Sequence, residues 1–96
     1  MADLLEGSEI EERLAELDGW RRDGDAIVHE RELADFAAAM AWVNAVAGEA
    51  EAADHHPDIL IHDWNKVRLS VTNHSAGGLT QADFDLAATI DAMPGG

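Results

Sequence analysis

Cysteine is missing altogether from this chain of 96 residues, which excludes disulfide staples, thiolate zinc sites and thiol catalysis. Lysine is almost as scarce: of 6 basic side chains only Lys66 is a lysine, against 20 acidic ones. The resulting balance of −14 repels phosphate backbones and anionic membrane surfaces, and so argues against sequence-independent nucleic-acid binding and against a membrane partner. Long apolar runs are absent as well; none approaches the ~20 residues that cross a bilayer. The N-terminal stretch carries Asp3, Glu6 and Glu9 with no base before Arg13, the opposite of a secretory leader. Together these absences predict a soluble, cytoplasmic protein. Surplus acid with so little lysine also matches a chain solvated in concentrated salt. There self-repulsion is screened, because the Debye length falls to about 3 Å at 1 M.

What is present is a globular composition. Apolar residues make up 47% and charged ones 27%, unlike a disordered tail. A chain of this length buries roughly 65% of its extended surface, enough for one core. One domain over residues 1–96 is expected.

Local patterns order the chain. Residues 1–7 read as frayed, and Ser8 with Glu11 forms a capping box that opens a helix carrying Ile10, Leu14 and Leu17 as far as Asp18-Gly19. Trp20-Arg21-Arg22 reads as a short strand, Asp23-Gly24 as a two-residue hairpin turn, and Ala26 to Leu33 as a strand with one wet face. Asp35 caps an alanine-rich helix from Phe36 to Ala53, with Phe36, Met40, Val43 and Ala47 as its apolar stripe. Gly48 within it reads as a close approach to a neighbour, and Pro57 as the helix stop. Ile59 to Ile61 gives a strand signal, and Lys66 to Asn73 alternates with Val67, Leu69 and Val71 on the buried side. After a loop from Asn73 to Gly78, Thr80 and Asp83 form a second capping box with a Leu79–Phe84 staple, and the last helix runs to Pro94-Gly95-Gly96. The order α-β-β-α-β-β-α predicts an α+β fold: a four-stranded antiparallel sheet with helices on one face. The other face and the outer strands are then open to water or to a second subunit.

The chemistry-bearing residues concentrate late in the chain. His55, His56, His62 and His74 lie within twenty positions of one another. Glu51 stands four residues before His55, so a helix persisting that far would put carboxylate and imidazole on one face, where the first orients the second. Imidazole exchanges protons near neutral pH, so two of them from different elements could serve one small molecule as acid and base. A dehydration needs such a pair. The other reading of each residue is structural: His29 and His62 as structural or surface groups, Asp83 as a helix cap, Trp64 as core or interface. His55, His56 and His74 with Glu51 are also suitable metal ligands. Their spacing matches no zinc signature, and no metal is expected. Serine-nucleophile and phosphate-loop motifs are absent.

Read together, Glu51, three residues, His55-His56-Pro57, six residues, Trp64, nine residues, His74, eight residues and Asp83 resemble the signature of the pterin-4a-carbinolamine dehydratases. Asn65-Lys66-Val67, Gly78-Leu79-Thr80, Gly19-Trp20, Ala26-Ile27 and Asp35-Phe36 are similar to that family too, so the likeness covers nearly the whole chain. The chain departs from it at Ser75, where relatives tend to carry an acid, and in having the bulkier Trp64 after the longer of the accepted spacings.

The resemblance implies a hydro-lyase, a 4a-hydroxytetrahydrobiopterin dehydratase. It converts 4a-hydroxy-tetrahydropterin to quinonoid dihydropterin and water, in tetrahydropterin recycling and without a cofactor. By this likeness His55 and His74 are the acid/base residues and His56 assists or contacts the pterin. Glu51, Trp64 and Asp83 belong to substrate binding, Glu51 orienting His55. The resemblance further implies three helices on one sheet face and a homodimer or homotetramer. The alternatives are a binding or assembly module of the same fold, or action on a molybdopterin- or folate-related pterin.

Overall fold

A computed structural model of the protein describes residues 3–93. Seven elements follow one another: α1 (Gly7–Ala15), β1 (Trp20–Asp23), β2 (Ala26–Glu32), α2 (Phe36–Ala53), β3 (Asp58–His62), β4 (Lys66–Val71) and α3 (Gln81–Asp91). The strands form one antiparallel sheet in the order β1-β2-β4-β3, so the expected architecture is present. Both sequential hairpins remain neighbours, and the central β2–β4 pair joins them, with Ile27 opposite Val71 and Glu32 opposite Lys66.

Alternation along β4 decides which face is covered. Val67, Leu69 and Val71 are fully buried, and across the sheet Ile27 joins them in one cluster with Ile10 of α1, Trp42 and Val46 of α2, and Phe84, Leu86 and Ile90 of α3. All three helices therefore contribute to a core on a single face. The opposite face carries ion pairs such as Arg21–Glu30 at 3.0 Å and Arg68–Asp23 at 3.2 Å.

Several local readings shift. The first cap is Glu6, whose N–H donates to Glu9 Oε1 at 2.9 Å, two residues before the expected Ser8. Leu5 is anchored by its N–H on the Leu79 carbonyl at 2.9 Å, so the segment before α1 is not frayed there; Met1 and Ala2 lie outside the described residues. The expected end of α3 at Pro94-Gly95-Gly96 lies outside them as well. The β1–β2 turn is Gly24-Asp25, one position later than expected, with Gly24 at φ 60° where a side chain would be strained. Gly19, at φ 79°, is needed for a second reason: a Cβ there would come within 3.2 Å of the ring of the buried His29, whose Nδ1–H donates to the Gly19 carbonyl at 2.9 Å.

Helix α2 turns a different stripe inward from the one expected. Ala39, Trp42, Val46 and Ala50 are buried, whereas Phe36 and Met40 face outward. Once Trp42 is in the core, helical geometry carries its neighbours three to four residues away with it and rotates Phe36 and Met40 out. Gly48 lies on the outer side, and a Cβ there would meet nothing, so no close approach explains it. The helix also ends before Pro57 can stop it: Asp54 adopts the left-handed conformation, φ 50° and ψ 43°, and the chain turns off at Ala53.

Candidate active site

The reversal at Asp54 determines the partners of both following histidines. Had α2 continued, Glu51 and His55 would have met at i, i+4; instead His55 swings toward α3. There its Nε2 lies 2.6 Å from Asp83 Oδ1. Asp83 is 0% exposed and the His55 side chain 15%, so water competes little with this bond. Glu51 is taken by His56, whose Nε2–H donates to Glu51 Oε2, and both of these side chains are mostly in solvent. The expected pairing of Glu51 with His55 is thus replaced by two crossed pairs.

Asp83 is held from its own helix. As the third residue after the cap, it accepts the Thr80 N–H at 2.7 Å and the Thr80 hydroxyl at 3.2 Å, both on Oδ2. Its capping role and its contact with His55 use different oxygens, so the helix cap and the bond to His55 coexist. A carboxylate is an acceptor only, so His55 presents Nε2–H to it. That fixes the tautomer and leaves the Nδ1 lone pair as the free proton acceptor.

His74 stands in the loop between β4 and α3, exposed and with no hydrogen bond among the described residues. It lines a cavity of about 310 Å³ with Asp23, Asp25, Thr72, Asn73 and Gly77-Gly78. His55 lines a smaller one of about 170 Å³ with Ala53, Ala82, Asp85 and Leu86. The two imidazoles do not open onto one cavity within a single chain. They do share one end of the sheet: Asp58, two residues after His56, pairs with Ser70, four residues before His74.

Trp64 belongs to the other end. It sits at the tip of the β3–β4 hairpin, 60% exposed and at φ 55°, beyond the His62–Lys66 pair. The structure does not bring it to His55, His56 or His74, nor does it bury it as core. Asn65 holds that tip, its Nδ2 donating to the Leu33 carbonyl at 2.9 Å.

Sequence reasoning did not single out Asn73. Its Oδ1 accepts the Ala76 N–H at 3.0 Å, and its carbonyl accepts the Gly77 N–H at 2.9 Å. Its Nδ2 donates to Thr80 Oγ1 at 3.4 Å. An asparagine opening a glycine-containing loop was the available signal, since its side chain caps local backbone donors.

Comparison with known proteins identifies the family. Residues 3–93 match the family model described as pterin 4 alpha carbinolamine dehydratase. A protein of Roseiflexus sp. (strain RS-1), named "Putative pterin-4-alpha-carbinolamine dehydratase", is 57% identical over 93 residues, which is 97% of this chain and 99% of that one. A protein of the same name from Trichormus variabilis is 49% identical, with the same shares covered. The crystal structure of a transcriptional coactivator/pterin dehydratase from Brucella melitensis superposes with a TM-score of 0.88 at 33% identity, covering 94% of this chain and 97% of that one. A pterin dehydratase-like protein described as a RuBisCO assembly factor of the alpha-carboxysome shares the fold, with a TM-score of 0.64 at 23% identity over 78% of this chain and 88% of that one. The match of signature, fold and nearly full length has one reading: the chain belongs to the pterin 4 alpha carbinolamine dehydratase family.

Proposed function

We propose that the protein dehydrates a 4a-hydroxy-tetrahydropterin to the quinonoid dihydropterin, with His55 and His74 exchanging the protons. The observation that carries this reading is the His55–Asp83 pair: a largely covered imidazole, backed by a buried carboxylate and left with a free Nδ1. In the reaction the bond between C4a and its hydroxyl breaks, the N5–H proton leaves, and the electron pair it releases forms the new double bond. His55 takes the N5 proton on its open Nδ1, its ring held in place by the bond from Nε2–H to Asp83. His74, exposed and unengaged, donates to the departing hydroxyl, which leaves as water. His56 borders the pterin and is steadied by Glu51. The pterin itself lies across the end of the β3–β4 pair, between the two cavities. Neither metal nor organic cofactor enters these steps.

The same reading includes self-association. Strand β3 is an edge of the sheet and presents Ile59 and Leu60 to solvent, a ready seam for a second copy. No helix among the described residues is long and apolar enough to cross a membrane. The acidic surface supports work in concentrated salt, the condition in which activity is best assayed.

The test is the dehydration rate of a 4a-hydroxy-tetrahydropterin with the native protein, His55→Ala and His74→Ala. Each variant should lose about 10²–10⁴-fold, the usual contribution of a general acid or base. A native rate no faster than buffer would overturn the proposal and favour another pterin or a binding role.

A further inference from the structure

Four groups form one directed chain from the His74 loop to His55. Asn73 Nδ2 donates to Thr80 Oγ1 at 3.4 Å, Thr80 Oγ1 donates to Asp83 Oδ2 at 3.2 Å, and Asp83 Oδ1 accepts from His55 Nε2 at 2.6 Å. Thr80 and Asp83 are buried, at 1% and 0% exposure, so no water substitutes freely for a lost partner. Direction matters in such a chain. A threonine hydroxyl has one proton, and a donor on its oxygen steers that proton to the opposite side. The Asp83 N–H of the capping box and the Asn73 amide both donate to this oxygen, so the hydroxyl proton is left for the Asp83 carboxylate.

Asn73 also shapes the segment that carries His74. Its backbone N–H donates to the Gly78 carbonyl at 3.1 Å, its carbonyl accepts from Gly77 and Gly78, and its Oδ1 holds the Ala76 N–H. All of its polar groups are therefore engaged: three close the loop around His74-Ser75-Ala76, and the fourth reaches the support of His55.

We propose that Asn73 is a positioning residue that couples the His74 loop to the His55–Asp83 pair by holding, together with the Asp83 N–H, the direction of the Thr80 hydroxyl. The kinetic part of this inference rests on the dehydratase reading; the structural part does not. One residue then sets two geometries at once, the place of His74 and the hydrogen bonding of the carboxylate behind His55. A substitution that loosens either should weaken proton transfer more than substrate binding, since Asn73 acts through other groups.

Asn73→Asp separates the two functions. Aspartate retains an oxygen for the Ala76 N–H and all backbone bonds, but it replaces the donor with an acceptor. The Thr80 hydroxyl then turns to the introduced carboxylate and leaves Asp83 Oδ2 with the Thr80 N–H alone. Deprived of one donor, Asp83 accepts more strongly from His55, and the His55 Nε2–H proton resonance should move downfield by about 0.5 ppm or more relative to the native protein. In a Thr80→Val background the hydroxyl is gone, and adding Asn73→Asp should move that resonance by less than a third as much. An equal displacement in both backgrounds would mean that the new charge acts through space, and no displacement in either would mean no coupling; both results overturn the proposal.

Asn73→Ala serves if the aspartate variant does not fold. It lacks the donor without adding charge, and its loss should alter the same resonance only when Thr80 is present. In the dehydration assay Asn73→Ala should lower kcat about tenfold with KM within about twofold, whereas a rise in KM at unchanged kcat would overturn the positioning role. An inactive native protein would sink the dehydratase reading and leave the resonance experiment to decide the coupling.

Discussion

Two histidine–carboxylate pairs stand side by side in this chain and differ in almost everything except chemistry. His55–Asp83 joins residues 28 positions apart, across the α2–α3 interface, with the carboxylate wholly buried. His56–Glu51 joins residues five positions apart on the surface, with side chains 57% and 76% exposed. In the first pair, two bonds from Thr80 hold the carboxylate before the imidazole meets it. In the second, two mobile side chains give up rotational freedom to meet in water, where an ion pair contributes little. Proximity in sequence is therefore a poor guide to which carboxylate orients an imidazole; burial and prior anchoring matter more.

The comparison breaks most visibly at Asp83. In Asp83→Asn the amide can offer a hydrogen instead of accepting one, so His55 loses its fixed tautomer. Activity should fall about a hundredfold or more, and stability by about 2 kcal/mol, as expected for lost hydrogen bonds to a buried charged group. Dehydration kinetics and urea unfolding check the two effects. A fall in stability with unchanged kcat would leave Asp83 as a helix cap alone.

Glu51→Gln should have a much smaller effect. We expect activity within about threefold of native and stability within about 0.5 kcal/mol, the scale of an exposed ion pair. A loss as large as that of Asp83→Asn would show that solvent exposure does not separate the two pairs, and the contrast would fail. The smallest effect is expected at Trp64, at the far end of the β3–β4 hairpin. Trp64→Ala should keep kcat/KM within about twofold and stability within about 0.5 kcal/mol. Sedimentation of the same variant would show whether the exposed indole serves assembly, and a large kinetic loss without a change in sedimentation would extend the site to that end.

Much of the fold was legible because its signals are local. The alternation of Val67, Leu69 and Val71 needs only the two-residue period of a strand to name its buried face. The Thr80–Asp83 box operates within a single helical turn. Helix α2 shows where such reasoning stops. With nine alanines and several large apolar residues around its circumference, more than one stripe satisfies the helical period. Packing against the sheet selected the stripe containing Trp42.

The candidate site divides in the same way. His55, His56, His74, Glu51 and Asp83 are all identifiable from residue type and spacing, because the signature is written along the chain. Their pairing is not, since it depends on one backbone turn. A left-handed Asp54 carries no strong sequence mark, yet it removes His55 from Glu51 and delivers it to Asp83. Asn73 was invisible for a related reason: five hydrogen bonds meet on it, and those with Gly77, Gly78 and Thr80 form only after the loop has closed.

By itself, then, the sequence determined the order of elements, the inward face of β4, the caps of the last two helices and the set of polar residues available for chemistry. Each of these is governed by interactions spanning about one turn or one strand pair, which a linear pattern can encode. Tertiary structure alone decided the inward face of α2, the exchange of carboxylate partners between His55 and His56, and the stranding of Trp64 away from His55, His56 and His74. Those outcomes depend on which distant surfaces exclude water together, and burial of that kind is a property of the assembled fold.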